Sequence, residues 1–452
     1  MVFALLASGC ATVELPSPLA GDVPAEFSRS GAEPLPDRWW HGLDDAQLDS
    51  LIREALAENP SLKATWDRLA QANAIARRER ATLWPTLDAD ARASRTINFE
   101  GPDSERYELG IAAAYEVDLW GRLRSSAAAA RIDAEASREE VLAAAISLTA
   151  EIARTWYELI EQRGQLALLQ QQIKTNEQIL ELVDLRFRQG QTVAADVLRQ
   201  RQLVEQRRGE IHDVRSRIAV LEHQLAILLG RAPKSLQVAD RQTMGNLPPL
   251  PATGLPADLI RRRPDVRRAF HDIHAASARV AAAIADRYPR IDLAASLTSA
   301  ATSPGDIFSN WLATLMAQLM APIIDGGARR AEVERTEAVL AERVHLYEET
   351  VLAALKEVED ALERERRQHE KVASLRRQLE IADEVVERLR ARYTQGAANY
   401  LDVLEALTTQ QNLQSNLLTA RRDLYFFRID LARALAGGWT MNQPEPLLLV
   451  RT

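Results

Sequence analysis

The sequence predicts a mainly α protein with a smaller, membrane-type β part, built from one unit used twice. Three observations carry this prediction. The stretch RFRQGQTVAADVLRQ at 186–200 returns at 392–406 as RYTQGAANYLDVLEA. Apolar residues recur every seven positions through two long stretches, the mark of left-handed coiled-coil packing. Three shorter stretches alternate apolar and polar residues for ten positions or more, and a fourth does so more weakly, well beyond the ~5–6 residues of an ordinary strand.

The duplication extends past the doubled stretch. NPSLKATWDRLAQANAIARRERATLWPTLDADA at 59–91 matches RPDVRRAFHDIHAASARVAAAIADRYPRIDLAA at 263–295. Pro60 falls on Pro264, Trp84-Pro85 on Tyr288-Pro289, Asp88 on Asp292, and DLWGR at 118–122 near IDGGAR at 324–329. The spacing therefore predicts two structural repeats, 59–230 and 263–437, joined by a Pro- and Gly-rich linker at 231–262.

Within each repeat the elements follow in one order. A helix over 61–83 or 265–287 stops at Trp-Pro or Tyr-Pro, because proline lacks a donor and pushes its predecessor out of the helical region. Strands follow at 87–99 and 107–119, and at 291–301 and 309–321. In the first pair the odd positions (Leu87, Ala89, Ala91, Tyr107, Leu109, Ile111) are mostly apolar, while the even ones include Asp88, Asp90, Glu108 and Glu116. Long helices come next, over 123–189 and 328–395. Their seven-residue columns read Ile152, Leu159, Leu166, Ile173, Leu180, Phe187 and Val344, Val351, Val358, Glu365, Val372, Leu379, Val386, Tyr393. At ~1.5 Å per residue such a helix runs about 100 Å, too long to be covered by one compact core. Gly190 and Gly396 break these helices, since glycine tolerates the left-handed backbone of a chain reversal. Return helices over 193–229 and 399–436 complete each repeat.

Composition excludes several functions. The net charge of −8 over 452 residues argues against nucleic-acid binding, which needs a basic face. No apolar run approaches the ~20 residues of a spanning helix. There is no glycine-rich phosphate loop, no nucleophile constellation and no paired Cys/His spacing, so no enzyme, cofactor or metal site is expected. His271 and His274 share a helical face, but two ligands alone are weak grounds for a metal. The arginine cluster at 261–268 is expected to be structural. The single cysteine, Cys10, follows an apolar run and Ala7-Ser8-Gly9. This looks like a lipoprotein signal, with residues 1–9 removed and Cys10 acylated as a membrane anchor.

Strands this long, with this alternation, suit a membrane barrel, whose strands need ~9–11 residues. Four strands cannot close one, and an open edge in lipid leaves backbone groups unpaired. Lipid-facing strands therefore imply that several copies share one barrel. A soluble strand pair on a coiled-coil scaffold lipoprotein, periplasmic or surface-attached, is the alternative.

The order and spacing of these features resemble the outer membrane factor family, the TolC-like exit ducts of tripartite efflux pumps. The lipoprotein-like start and WWHGLDD at 39–45 make the chain similar to the lipidated OprM/NodT-type branch. The resemblance implies a homotrimer with an α-helical barrel and a shared twelve-stranded β-barrel in outer membrane lipid, four strands from each chain. It implies a belt formed by the segment 10–58, the linker and the tail 438–452. It also implies a periplasmic adaptor (membrane fusion) protein and an inner-membrane RND-type pump as partners, and passive, gated export of drugs or other small molecules. The doubled stretches become two periplasmic tips that dock the adaptor: Gly190, Gln191, Thr192, Val193 and Asp196 in one, Gly396, Ala397, Ala398 and Asn399 in the other. Asp402 and Glu405 match the family's paired acids, with Leu401 as an apolar constriction beside them, so these three are expected to form the pore gate. Glu405 stands where aspartate is commoner. Without the resemblance, the preference of helix starts for acids would account for both carboxylates.

Overall fold

A computed structural model describes residues 23–233 and 238–435. Cys10, the signal remnant and the tail at 438–452 lie outside them. In chain order the elements are β1 (Glu33–Pro34), α1 (Ala46–Glu58), α2 (Pro60–Ala81), β2 (Thr86–Thr96), β3 (Ser104–Glu116), α3 (Arg122–Arg188), α4 (Ala194–Leu228), β4 (Pro251–Ala252), α5 (Pro256–Arg262), α6 (Pro264–Ala285), β5 (Arg290–Ala301), β6 (Trp311–Met320), α7 (Ala328–Thr394) and α8 (Tyr400–Leu435). Among the described residues no helix is long and apolar enough to cross a membrane.

Two compact units emerge, and each draws on both halves of the chain. One comprises Asp67–Glu140 and Asp265–Val351, the other Val23–Trp66, Val141–Pro264 and the described residues from Leu352 onward.

The first unit holds an antiparallel sheet in the order β2-β3-β5-β6, so the two hairpins join through β3 and β5. Polar side chains end its strands earlier than the alternation suggests. β2 stops at Thr96, and Asn98 turns the chain by accepting from Glu100 N at 3.1 Å, which leaves Ile97 and Phe99 in the exposed loop. β3 stops at Glu116 because Asp118 turns to cap α3, accepting from Leu123 N at 3.0 Å and Arg124 N at 2.9 Å. In the same unit α6 is tied to α3 by Arg267–Glu139 at 2.6 Å. Burial raises the Glu139 carboxyl above its ordinary pKa, and Arg267 opposes that shift. His271 lies 3.7 Å from Glu135, and His274 packs edge-on to Phe270.

The second unit holds the hairpins. Its junctions show how the duplication works locally. Asn59 caps the start of α2, accepting from Leu62 N at 2.9 Å, and donates to the last carbonyl of α4, Leu228 O, at 2.8 Å. Arg263, at the matching position before α6, donates to Ala434 O near the end of α8 at 3.2 Å and pairs with Glu357 at 3.0 Å. In each repeat one side chain thus joins the short helix to the end of the return helix. Trp39 and Trp40 are buried, and Asp45 caps α1 while accepting from Trp156 at 3.0 Å and Arg241 at 2.7 Å. This pins the 39–45 segment and the linker to α3. β1 pairs in parallel with β4.

The seven-residue columns behave differently in the two long helices. In α7 the column from Val344 to Tyr393 stays buried except for half-buried Leu379. Glu365 sits in it as a charge, held by a two-pronged pair with Arg428 of α8 at 2.6 and 2.9 Å. A buried carboxylate persists only where such a partner compensates it. In α3 the column is buried at Ile152, Leu159 and Ile173, half-buried at Leu166 and Leu180, and exposed at Phe187. Thr155, Gln162, Leu169, Asn176 and Val183, also seven apart, form the column that stays buried.

Candidate functional site: the hairpin tips and the sheet

The tips are built by matching turns. Gly190 and Gly396 take φ of 73° and 77°. Gly190 N donates to Phe187 O at 2.9 Å and Gln191 N to Arg186 O at 2.9 Å. In the other copy Gly396 N donates to Tyr393 O at 3.0 Å and Ala397 N to Arg392 O at 2.8 Å. This double bond pattern closes a helix on a left-handed glycine, so the doubled Arg-aromatic-x-Gln-Gly reads directly as two chain reversals. Gln191, Val193, Ala397 and Asn399 are exposed, while Thr192 and Ala398 are half-buried.

Past the turns the tips differ. In the first, Asp196 is compensated: Thr192 Oγ1 donates to it at 2.6 Å and Arg199 at 3.2 Å. In the second, Asp402 and Glu405 are exposed on α8 with no ion-pair partner among the described residues. Their i, i+3 spacing puts them on one wall of an open groove of about 600 Å³, opposite Ile381, Val385 and Leu389 of α7. Leu401 is half exposed beside them.

The two hairpins pack on each other through Ile179, Val183, Val197, Val386, Tyr393, Tyr400, Val403 and Leu407. Polar bonds lock the register of this contact. Tyr400 OH donates to Gln200 Oε1 at 2.7 Å, and Gln200 Nε2 donates to Asn176 O at 2.8 Å. Gln172 Nε2 reaches Gln411 O at 3.2 Å and Gln414 Oε1 at 3.0 Å. Arg186 donates to Tyr393 O and lies over its ring, 4.3 Å from the centroid. Burial, and then the charge of Asp196, push the Tyr400 phenol above its ordinary pKa, so it remains a donor. Sequence reading missed Gln200 and Tyr400 because it followed residues that recur between the copies. Gln200 matches Ala406, so the linking residue is one that the copies do not share.

The sheet is amphipathic on a scale unusual for a soluble fold. Partners directly opposite share a face. Ala89 faces Ile111, Ile111 faces Leu297, and Leu297 faces Ala313. Leu87, Leu109, Leu293, Leu315 and Leu319 fall on that same side, and Leu315 is 86% exposed. The opposite face carries Asp88, Asp90, Arg92, Glu108 and Asp292 on β2, β3 and β5, while β6 puts Leu312, Met316 and Met320 on it. β2 and β6 each have one unpaired edge. A continuous apolar face of this size on a folded protein marks an interaction surface.

A mainly helical chain with tipped hairpins and an amphipathic, open-edged sheet defines the class of outer membrane channels. Known proteins agree. Residues 51–231 and 255–437 match the outer membrane efflux protein family. The pyoverdine export outer membrane protein OpmQ of Pseudomonas aeruginosa is 30% identical over 97% of this chain and 96% of its own length. The solvent efflux pump outer membrane protein SrpC of Pseudomonas putida is 31% identical, over 88% of this chain and 87% of its own. The crystal structure of the open state of the Neisseria gonorrhoeae MtrE outer membrane channel superimposes with a TM-score of 0.84 at 27% identity, covering 94% of this chain and 97% of that one. The chain belongs to the outer membrane efflux protein family. It is an outer membrane channel, the exit duct of an efflux pump, and the scaffold alternative is set aside.

Proposed function

We propose that three copies pool their sheets into one closed barrel of twelve strands and that the assembly exports small molecules passively, gated at the second tip. The observation that carries this reading is the open-edged sheet itself. In hydrocarbon each unpaired backbone group costs several kcal/mol, so strands with a lipid-facing side persist only in a closed barrel. Four strands fall short of the roughly eight that the smallest barrels use. Three chains of four supply twelve, the count that the family resemblance implies.

At the second tip threefold symmetry brings Asp402 and Glu405 together from each chain, with Leu401 beside them. Uncompensated carboxylates in a narrow passage favour cations and repel anions. The compensated first tip, Gly190 to Asp196, is an outer wall that docks the hairpin of a periplasmic adaptor, together with Gly396 to Asn399. The chain performs no chemistry; an inner-membrane pump of the RND type supplies the energy. OpmQ is named for pyoverdine export and SrpC for solvent efflux, which fits a duct whose cargo is chosen by its pump rather than by itself.

Acylation of Cys10 adds an anchor without forming the channel. Cys10→Ser is expected to abolish labelling by radioactive palmitate while leaving the protein in the outer-membrane fraction after alkaline carbonate washing, because the strands hold it in lipid. Release of the variant into the wash would contradict the barrel.

A further inference from the structure

The end of the sheet nearest α2, α3, α6 and α7 is basic, although the chain as a whole is acidic. The four segments leading into or out of the strands there, 76–85, 116–124, 286–290 and 321–330, carry nine arginines and five acids. The loops at the other end, 97–103 and 302–310, carry three acids and no basic residue. Several of the arginines are spent within the fold: Arg122 on Glu116, Arg124 on Asp118, and Arg329 on Asp286 and Asp325. Arg77, Arg80 and Arg287 are exposed and have no ion pair among the described residues.

Local structure aligns this charge with aromatic rings. Past Ala81 the helix continues in i→i+3 bonds, with Leu83 N donating to Arg80 O and Trp84 N to Ala81 O. Arg77, Arg80 and Trp84 therefore follow one another at i, i+3 and i+7 along one side, and Trp84 is 69% exposed. At the start of β5, Tyr288 follows Arg287 and stacks on Trp120 at 4.8 Å, while Trp120 Nε1 is held by Pro289 O at 2.7 Å. Amphipathic rings at the end of membrane strands sit at headgroup depth. Unpaired guanidiniums beside them lie where phosphates lie, and arginine recognises phosphate with two parallel hydrogen bonds.

We propose that this end of the sheet binds the headgroups of anionic phospholipids, with Arg77, Arg80 and Arg287 taking the phosphates and Trp84 setting the depth. The proposal rests on the reading of the sheet as a membrane barrel. It makes the basic end the one that enters the periplasmic leaflet and the acidic loops the ones that leave on the far side.

The test uses the full-length protein in phosphatidylcholine vesicles doped with spin-labelled phosphatidylglycerol or spin-labelled phosphatidylcholine. Electron paramagnetic resonance reads the fraction of each label immobilised at the protein surface. Cationic residues near a membrane surface attract anionic headgroups, so immobilised phosphatidylglycerol should exceed phosphatidylcholine by on the order of threefold once averaged over the whole perimeter. Arg77→Gln, Arg80→Gln and Arg287→Gln combined should bring that preference close to unity without lowering the immobilised phosphatidylcholine, which shows that the variant is still inserted. Equal immobilisation of both labels by the wild type, an undiminished preference in the triple variant, or loss of the preference on adding 5 mM inorganic phosphate at a salt concentration of about 150 mM, where so small an addition leaves the Debye length near ~8 Å, would overturn it. Failure of the barrel reading looks different, since then neither label is immobilised.

Discussion

Replacing Asp402 and Glu405 together by alanine is expected to raise single-channel conductance in planar bilayers and to weaken cation preference several-fold. Both carboxylates are exposed on one side of α8, and no basic side chain neutralises either among the described residues. In the proposed trimer, threefold symmetry would multiply them into a ring of like charge that attracts cations and holds back anions. Alanine removes the charge and widens the passage while keeping helix propensity, so α8 survives the change. Asp196→Ala is the matched control. Its carboxylate is already compensated by Arg199 at 3.2 Å and Thr192 at 2.6 Å, so selectivity should stay near that of the wild type. Unchanged currents in the double variant would remove Asp402 and Glu405 from the conduction path.

The second large effect is expected in the sheet. Leu297 lies on the apolar face between Ile111 and Ala313, and the next residue, Thr298, lies on the polar face between Gly110 and Leu312. Leu297→Arg places a guanidinium against hydrocarbon near the middle of the strand, at a cost of about 2–4 kcal/mol for each chain. Since the copies insert as one barrel, the cost is borne once per chain, and folding into vesicles should fall to a small fraction of the wild-type yield. Thr298→Arg, at almost the same depth, should fold normally and alter only conduction. Resistance to protease after mixing with vesicles reads both variants. Equal tolerance of the two would mean that the face reading is wrong.

Much of this architecture is legible in the sequence because it is written in local rules. Trp84-Pro85 and Tyr288-Pro289 end α2 and α6 within a few residues of where proline geometry demands. Gly190 and Gly396 mark the reversals, and period-two alternation gives the sheet its faces. Strand ends are less legible, since apolar residues continue the alternation into Ile97 and Phe99 while Asn98 has already turned the chain. The buried column of α3 misleads for a similar reason: an apolar position such as Phe187 states a preference, and the packing of the hairpins decides whether a neighbour is there to meet it. Polar contacts between distant helices, such as Tyr400 with Gln200 and Arg428 with Glu365, have no local signature. Their partners are fixed only when the hairpins pack. For Asp402 and Glu405 the sequence provides their spacing, and the structure adds that Asp196, the counterpart of Asp402 in the first tip, is compensated by Arg199, the counterpart of Glu405, while Asp402 and Glu405 are not.

The most direct measurement is the mass of the native assembly extracted in mild detergent from the outer-membrane fraction. Three chains per particle are expected, dissociating only when the strands themselves unfold. A folded single chain, stable in buffer without detergent and with the Leu315 face open to water, would contradict the shared barrel and the conduit built on it.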